Sequence, residues 1–120
     1  MGESWIPVYD HAIECLSEAV QRLATWEGTI QERLYGAFHQ LTRLREGELP
    51  EDQVQDFRSI IDEVRPIGEV TESGRYKIHP AAMTEKRAAQ LAERILSMYF
   101  SLDAEIRFNL RSRLRELTDE

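Results

Sequence analysis

The sequence predicts a single all-α domain over residues 1–120. We expect an antiparallel bundle of four helices, or five if the last one breaks, with one long irregular loop or small β-hairpin at about 66–82. Three observations lead to this prediction. Apolar residues recur three and four positions apart, the spacing that lines one face of a helix. Six glycines and four prolines are too few for a turn-rich β architecture. A hydrophobic fraction of 42% with 31% charged residues is typical of one soluble globular domain.

The longest apolar stripe predicts the first two helices. Its members share one helical face: Ile6, Tyr9, Ile13, Leu16, Val20, Leu23, Glu27, Ile30, Leu34, Ala37, Leu41 and Leu44. Pro7 suits a first helical position and Ser4 suits a cap, so the first helix is expected to begin near Trp5 or Ile6.

Two interpretations remain open where this stripe passes residues 26–29. Thr29 and Glu32 can form a capping box, and Gly28 is a common helix terminator, so the chain can turn back there. The stripe keeps its phase through Gly28, however, as one long helix would. Because helices average about 11–12 residues, we favour the break, followed by a second helix over about 29–46.

A third helix is predicted between two prolines. Pro50 and the acidic residues Glu51 and Asp52 are typical of a helix start. Pro66 disfavours helical geometry in the residue before it, so the helix must end by Arg65. Its apolar face consists of Val54, Phe57, Ile60, Ile61 and Val64.

The connection over 66–82 could contain a hairpin and a binding site. Val70, Tyr76 and Ile78 have alternate-face spacing around residues 72–74, which is typical of a short β-hairpin. Basic and aromatic side chains in this loop are candidates for ligand contacts: Arg75, Tyr76, Lys77 and His79. The simpler interpretation is a solvated loop that Tyr76 and Ile78 attach to the core.

The last helix should begin between Ala81 and Thr84 and could extend to Leu117. At 1.5 Å per residue it would be about 50 Å long, roughly twice the third helix. It could break near Ser101, which could cap a fifth helix. Otherwise its far end projects, and its apolar residues pack on a second copy, because homodimers are the commonest oligomers. The predicted dimer interface is Ile106, Leu110, Leu114 and Leu117.

Charge is distributed unevenly along the chain. Residues 1–72 contain 15 acidic and six basic residues, a net charge of −9, whereas residues 73–120 carry +2. The acidic first part disfavours nucleic acid as a partner. Arg107, Arg111 and Arg115 recur every four residues, so they could dock on an acidic protein surface, such as residues 48–56 of a second copy. They could also only compensate the helix dipole, or bind RNA.

Arg33 and His39 have the Arg-x(4–6)-His spacing of one enzyme family. On this motif the chain resembles the HEPN ribonucleases, which are small all-α proteins that typically act as dimers. The resemblance implies metal-independent RNA cleavage, with His39 as the acid or base and Arg33 stabilising phosphate charge. Leu34 follows the arginine where the family often has a polar residue. The alternative is an exposed arginine and a surface histidine.

No cofactor or metal is predicted. His11, Cys15 and Glu18 share a helical flank, but zinc sites normally draw ligands from several elements. One cysteine excludes an intrachain disulfide and suits a reducing compartment. The N-terminus lacks the pattern of a signal peptide, and no apolar run approaches the roughly 18 residues of a membrane span. We therefore expect a cytoplasmic protein without a membrane segment.

The functional prediction follows from what the motifs lack. No convergent set of polar residues stands apart from the core stripes, which argues against an enzyme. We predict a homodimeric adaptor or regulatory protein that acts through protein–protein association. The alternative is a HEPN-like ribonuclease or RNA-associated protein that uses Arg33 and His39.

Overall fold

The computed structural model describes residues 9–74 and 76–118, and of Tyr76 the main chain only. Within these residues the elements follow the order α1 (Asp10–Thr25), α2 (Ile30–Leu41), a short 3-10 helix (Glu46–Glu48), α3 (Glu51–Val64), β1 (Gly68–Val70), β2 (Tyr76–Ile78) and α4 (Glu85–Thr118). The four helices form a bundle, and the two strands pair as an antiparallel hairpin. The predicted all-α bundle with a small hairpin is confirmed.

The first two helices are separate, as the capping signals predicted. The Glu32 main-chain N–H donates to Thr29 Oγ1 at 3.1 Å, and the Thr29 N–H donates to Glu32 Oε1 at 3.4 Å. Gly28, with φ of 110°, makes the turn that an L-residue rarely adopts. One continuous helix through residues 26–29 is therefore wrong. The expected start near Trp5 or Ile6 lies outside the described residues.

Helix α2 ends at Leu41, earlier than the predicted residue 46. The main-chain hydrogen bonds there change to the spacing of a 3-10 turn, in which each N–H bonds three residues back. The Arg43 N–H donates to the Gln40 carbonyl at 3.2 Å, and the Leu44 N–H donates to the Leu41 carbonyl at 3.0 Å. Leu44 still reaches the core, so the apolar stripe continues although the α-helix does not.

Contacts with α4 show the directions in which α1 and α3 run. Gln53, at the start of α3, donates to the Met98 carbonyl, and Glu63, near its end, pairs with Arg87. Helix α3 therefore runs antiparallel to α4. Tyr9, just before α1, lies beside Glu105, so α1 also begins near the far part of α4. The largest fully buried side chains are Leu16, Leu34, Leu41, Ile60, Ile78, Leu91, Ile95 and Leu102.

The hairpin is held against α2 by one side chain and one close approach. Ile78 is fully buried, and Gly68 pairs with it across the hairpin. A Cβ atom on Gly68 would overlap the ring of Tyr35, which stacks on Phe38 with 5.3 Å between ring centroids. Because an isolated two-stranded hairpin is marginal in water, this packing on α2 stabilises it.

Helix α4 is unbroken, so the fifth helix proposed at Ser101 is wrong. Leu102 is fully buried, one turn after the buried Met98, and Ser101 is exposed on the outside of the same continuous helix. No buried α4 residue follows Leu102 among those described. Residues 103–118, which we name the α4 extension, continue the helix for about 24 Å beyond Leu102. The described molecule is accordingly elongated, 60 × 24 × 22 Å.

An ion pair between α3 and α4 gives a pH-dependent prediction. Arg87 donates to both carboxylate oxygens of Glu63, at 2.6 and 2.5 Å, and these bonds lower the pKa of Glu63. Both side chains are about a third or more exposed, so the pair contributes only about 0.5 kcal/mol. Glu63→Gln should therefore lower the melting temperature slightly at pH 7.

The stabilisation by Glu63 is complete above the pKa of the unfolded chain and is lost as the pH falls through the lower folded pKa. The difference between wild type and Glu63→Gln should therefore disappear in acid. Thermal denaturation followed by circular dichroism measures it, with the exposed Glu93→Gln as the control. An equal difference at every pH would contradict the prediction.

Candidate functional site

The α4 extension carries an apolar face that the described bundle leaves largely uncovered. Leu110 is 39% exposed, Leu114 61% and Leu117 62%. Ile106 differs from them, because it is half-buried and packs against the core of its own bundle. Three of the four predicted interface residues are thus accessible on a regular helix, and the fourth joins them to the core.

Arginines flank this apolar face. Two of them pair within the helix: Arg107 Nε lies 3.1 Å from Asp103 Oδ2, and Arg113 Nη1 lies 3.6 Å from Glu116 Oε2. Arg111 and Arg115 are exposed and form no ion pair with any described residue. They have charge available for a surface outside this molecule.

Two exposed aromatic rings add to the apolar surface of α4. Phe100 and Phe108 are exposed to the same extent as Leu114 and Leu117. At 100° per residue they lie on the side of the helix that also carries Arg107, Arg111 and Arg115. The distal half of α4 therefore presents apolar groups on two faces.

The end of the bundle from which the extension projects is acidic. Burial, and then the neighbouring Glu105 carboxylate, raise the pKa of the Tyr9 hydroxyl, to which Asp52 also contributes. The starts of α1 and α3 thus converge on the base of the extension. Asp10, in the first turn of α1, is exposed, as are Glu51 and Asp52 in the first turn of α3. Acidic residues are stabilising at these helix N-termini.

The predicted binding residues of the hairpin lie at the other end of α4. Lys77 is half-buried opposite Glu69, and His79 Nε2 is 3.4 Å from Glu69 Oε1. The Tyr76 main chain pairs with Val70. Arg75 and the Tyr76 side chain lie outside the described residues. Lys77 and His79 thus lie beside the same glutamate and are separated from the arginines of the α4 extension.

Arg33 and His39 leave α2 on faces about 120° apart, since they are six residues apart on one helix. Arg33 Nη1 donates to the Leu23 carbonyl at 3.0 Å, so its guanidinium satisfies the C-terminal end of α1. Burial, together with the nearby Arg22 and Arg43, lowers the pKa of His39. Within one copy, the Arg33 guanidinium is thus bonded to a main-chain carbonyl, and the His39 imidazole is half-buried on another face of α2.

A row of polar side chains lies beside the only cysteine, and of these the sequence gives no indication of Glu48. His11 Nδ1 lies 2.6 Å from Glu48 Oε2, and Cys15 Sγ lies 3.5 Å from His11 Nε2. Glu18, the third member of the predicted flank, pairs with Arg43 instead. The order resembles a nucleophile, a base and an orienting acid. Cys15 is fully buried, however, and burial raises the pKa of its thiol, which disfavours the reactive thiolate.

The described residues form no recognisable metal site or membrane-spanning segment. In the part of the chain that the structure describes, no group of three or more His, Cys, Asp or Glu side chains is arranged to hold a metal ion. None of the described helices has the length and apolar character needed to cross a bilayer. The exposure of Leu110, Leu114 and Leu117 makes the α4 extension the strongest candidate for a functional surface. In comparisons with known proteins, no family model, curated protein or solved structure matches the chain.

Proposed function

We propose that this protein acts through protein–protein association, as a homodimeric adaptor or regulatory protein, and that it dimerises through the α4 extension. The observation that carries the proposal is the exposure of Leu110, Leu114 and Leu117 on one face of a projecting helix. Each leucine contributes roughly 1.5–3 kcal/mol when fully buried. Soluble monomers rarely leave contiguous apolar surface of this kind in water, and where they do it commonly marks an interface.

Two features support association over catalysis. The Cys15 thiol is buried with a raised pKa, and the Arg33 guanidinium is bonded to a main-chain carbonyl. Neither group is poised to attack a substrate or to stabilise its charge. A single cysteine needs no oxidising compartment, so the proposal includes a cytoplasmic location.

The mass of the full chain in solution tests the proposal. Light scattering coupled to size exclusion, or sedimentation equilibrium, should give twice the chain mass of 14.0 kDa at tens of micromolar protein. Dilution should shift the population towards the single chain, because the association is reversible. A mass of one chain at every concentration would contradict the proposal.

The alternative, a HEPN-like ribonuclease or RNA-associated protein, has one supporting observation. Arg22 and Arg43 lie near His39, so a phosphate at this position would meet positive charge. Metal-independent RNA cleavage that His39→Ala abolishes and His79→Ala leaves intact would support this alternative over the adaptor. His79 is the matched control because it is an exposed histidine far along the chain.

A further inference from the structure

We infer that a small multivalent phosphate anion binds between arginines of the two copies at the rim of the proposed dimer and strengthens it. This inference rests on the proposed dimer, because the second copy completes the site. It follows from the arrangement of arginines around the apolar face of the α4 extension, which brings like charges together when two copies associate.

Arginines lie on both flanks of the apolar face. At 100° per residue, Arg107 and Arg113 lie about 60° to either side of Leu110, and Arg111 lies about 100° from it. Positions of this kind border the interface when a helix associates through one face. An arginine at such a border covers apolar surface with its stem and keeps its guanidinium at the rim.

The same flanks carry no acidic residue. Within residues 104–118 the acidic side chains are Glu105 and Glu116, which lie about 140° and 120° from Leu110. Two extensions that cross antiparallel at Leu110 therefore place Arg111 beside Arg111 of the other copy. A parallel pair also brings the basic flanks of both copies together. The rim is thus cationic in either direction, and like charges at a rim oppose association.

A multivalent phosphate suits this rim. The arginine guanidinium donates two parallel N–H bonds to a phosphate, so an anion with two phosphoryl groups can bond an arginine of each copy at once. Arg111 and Arg115 form no ion pair in the described part of the chain, so neither must give up a partner. The net charge of −7 disfavours a long polyanion such as RNA, whereas a small anion contacts only the arginines.

The dissociation constant of the full chain in two buffers tests the inference. Sedimentation equilibrium is measured in pyrophosphate and in sodium chloride of equal ionic strength, because salt alone also screens like charges. Pyrophosphate should lower the dissociation constant at least about tenfold relative to chloride, since an anion that binds only the dimer favours association by mass action. Equal dissociation constants in the two buffers would overturn the inference.

Removing the two unpaired charges gives an independent test. Arg111→Gln with Arg115→Gln should leave the dimer at least as tight in chloride, because repulsion is relieved, and should abolish the effect of pyrophosphate. Both side chains are exposed, and glutamine and arginine have similar helix propensities, so the variant should fold. Arg65→Gln is the matched control. Arg65 is exposed at the end of α3 and also lacks an ion pair among the described residues, so its loss should leave the pyrophosphate effect intact.

The outcomes separate this inference from the proposed dimer. If the double glutamine variant dimerises more weakly than wild type in chloride, the arginines attract the second copy, and the anion site is wrong while association stands. A variant that keeps its full response to pyrophosphate also rules out these arginines as the site. A mass of one chain in both buffers overturns the inference and the proposed dimer together.

Discussion

Leu114→Glu is expected to convert the dimer into a monomer while the bundle stays folded. Leu114 is 61% exposed in the single chain, and glutamate and leucine have similar helix propensities, so the variant should fold normally. In the dimer, each copy would bury an unpaired carboxylate among leucines, which costs several kcal/mol. We expect the dissociation constant to rise by at least about 100-fold, equivalent to about 2.7 kcal/mol. Light scattering measures the mass, and circular dichroism checks that helicity is retained.

The matched control for this variant is Ser112→Glu. Ser112 lies in the same helical turn, about 160° around α4 from Leu114, and the change introduces the same side chain. It should leave the mass and the dissociation constant unaltered. If Leu114→Glu dimerises as tightly as Ser112→Glu, the apolar face is not the interface.

Gly68→Ala is expected to destabilise the fold by about 1–3 kcal/mol, the usual cost of overpacking a filled site. The added methyl group would overlap the ring of Tyr35, which is itself buried and stacked on Phe38. Either the ring must move or β1 must leave α2. Urea denaturation followed by circular dichroism measures the loss in the free energy of unfolding.

Gly47→Ala is the control for the effect of removing a glycine. A Cβ atom on Gly47 would meet no other atom within 4 Å, so this change should alter stability little. Tyr35→Leu combined with Gly68→Ala should destabilise less than the two single changes added together, since the smaller side chain relieves the overlap. Equal losses for the two glycine variants would show that Gly68 is not closely packed.

Features governed by neighbouring residues were predictable from the sequence. Thr29 and Glu32 form the capping box that begins α2, and α3 lies between Pro50 and Pro66 as their fixed geometry requires. The sequence leaves the continuity of α4 open, because Ser101 is compatible with either a helix cap or a position inside a helix. Leu102 packs in the core of the bundle, and the helix continues through Ser101 without a break.

Features that depend on distant parts of the chain were not predictable. Glu48 reaches His11 from 37 residues away, and no spacing in the sequence indicates that pairing. The spacing of Arg33 and His39 suggests a shared site, whereas the Arg33 guanidinium is bonded to the end of α1. The residues around Gly68 do not indicate its close packing, because the Tyr35 ring that lies against it belongs to α2. Such contacts require the assembled bundle.

The unbroken course of α4 links the proposed self-association to stability. The same helix supplies Leu91, Ile95 and Leu102 to the interior and Leu110 and Leu114 to the exposed face. A second copy that binds only the folded chain therefore shifts the folding equilibrium by mass action. The thermal resistance of the protein would then rise with its abundance, so that a cell that makes more of the chain also makes each copy harder to unfold.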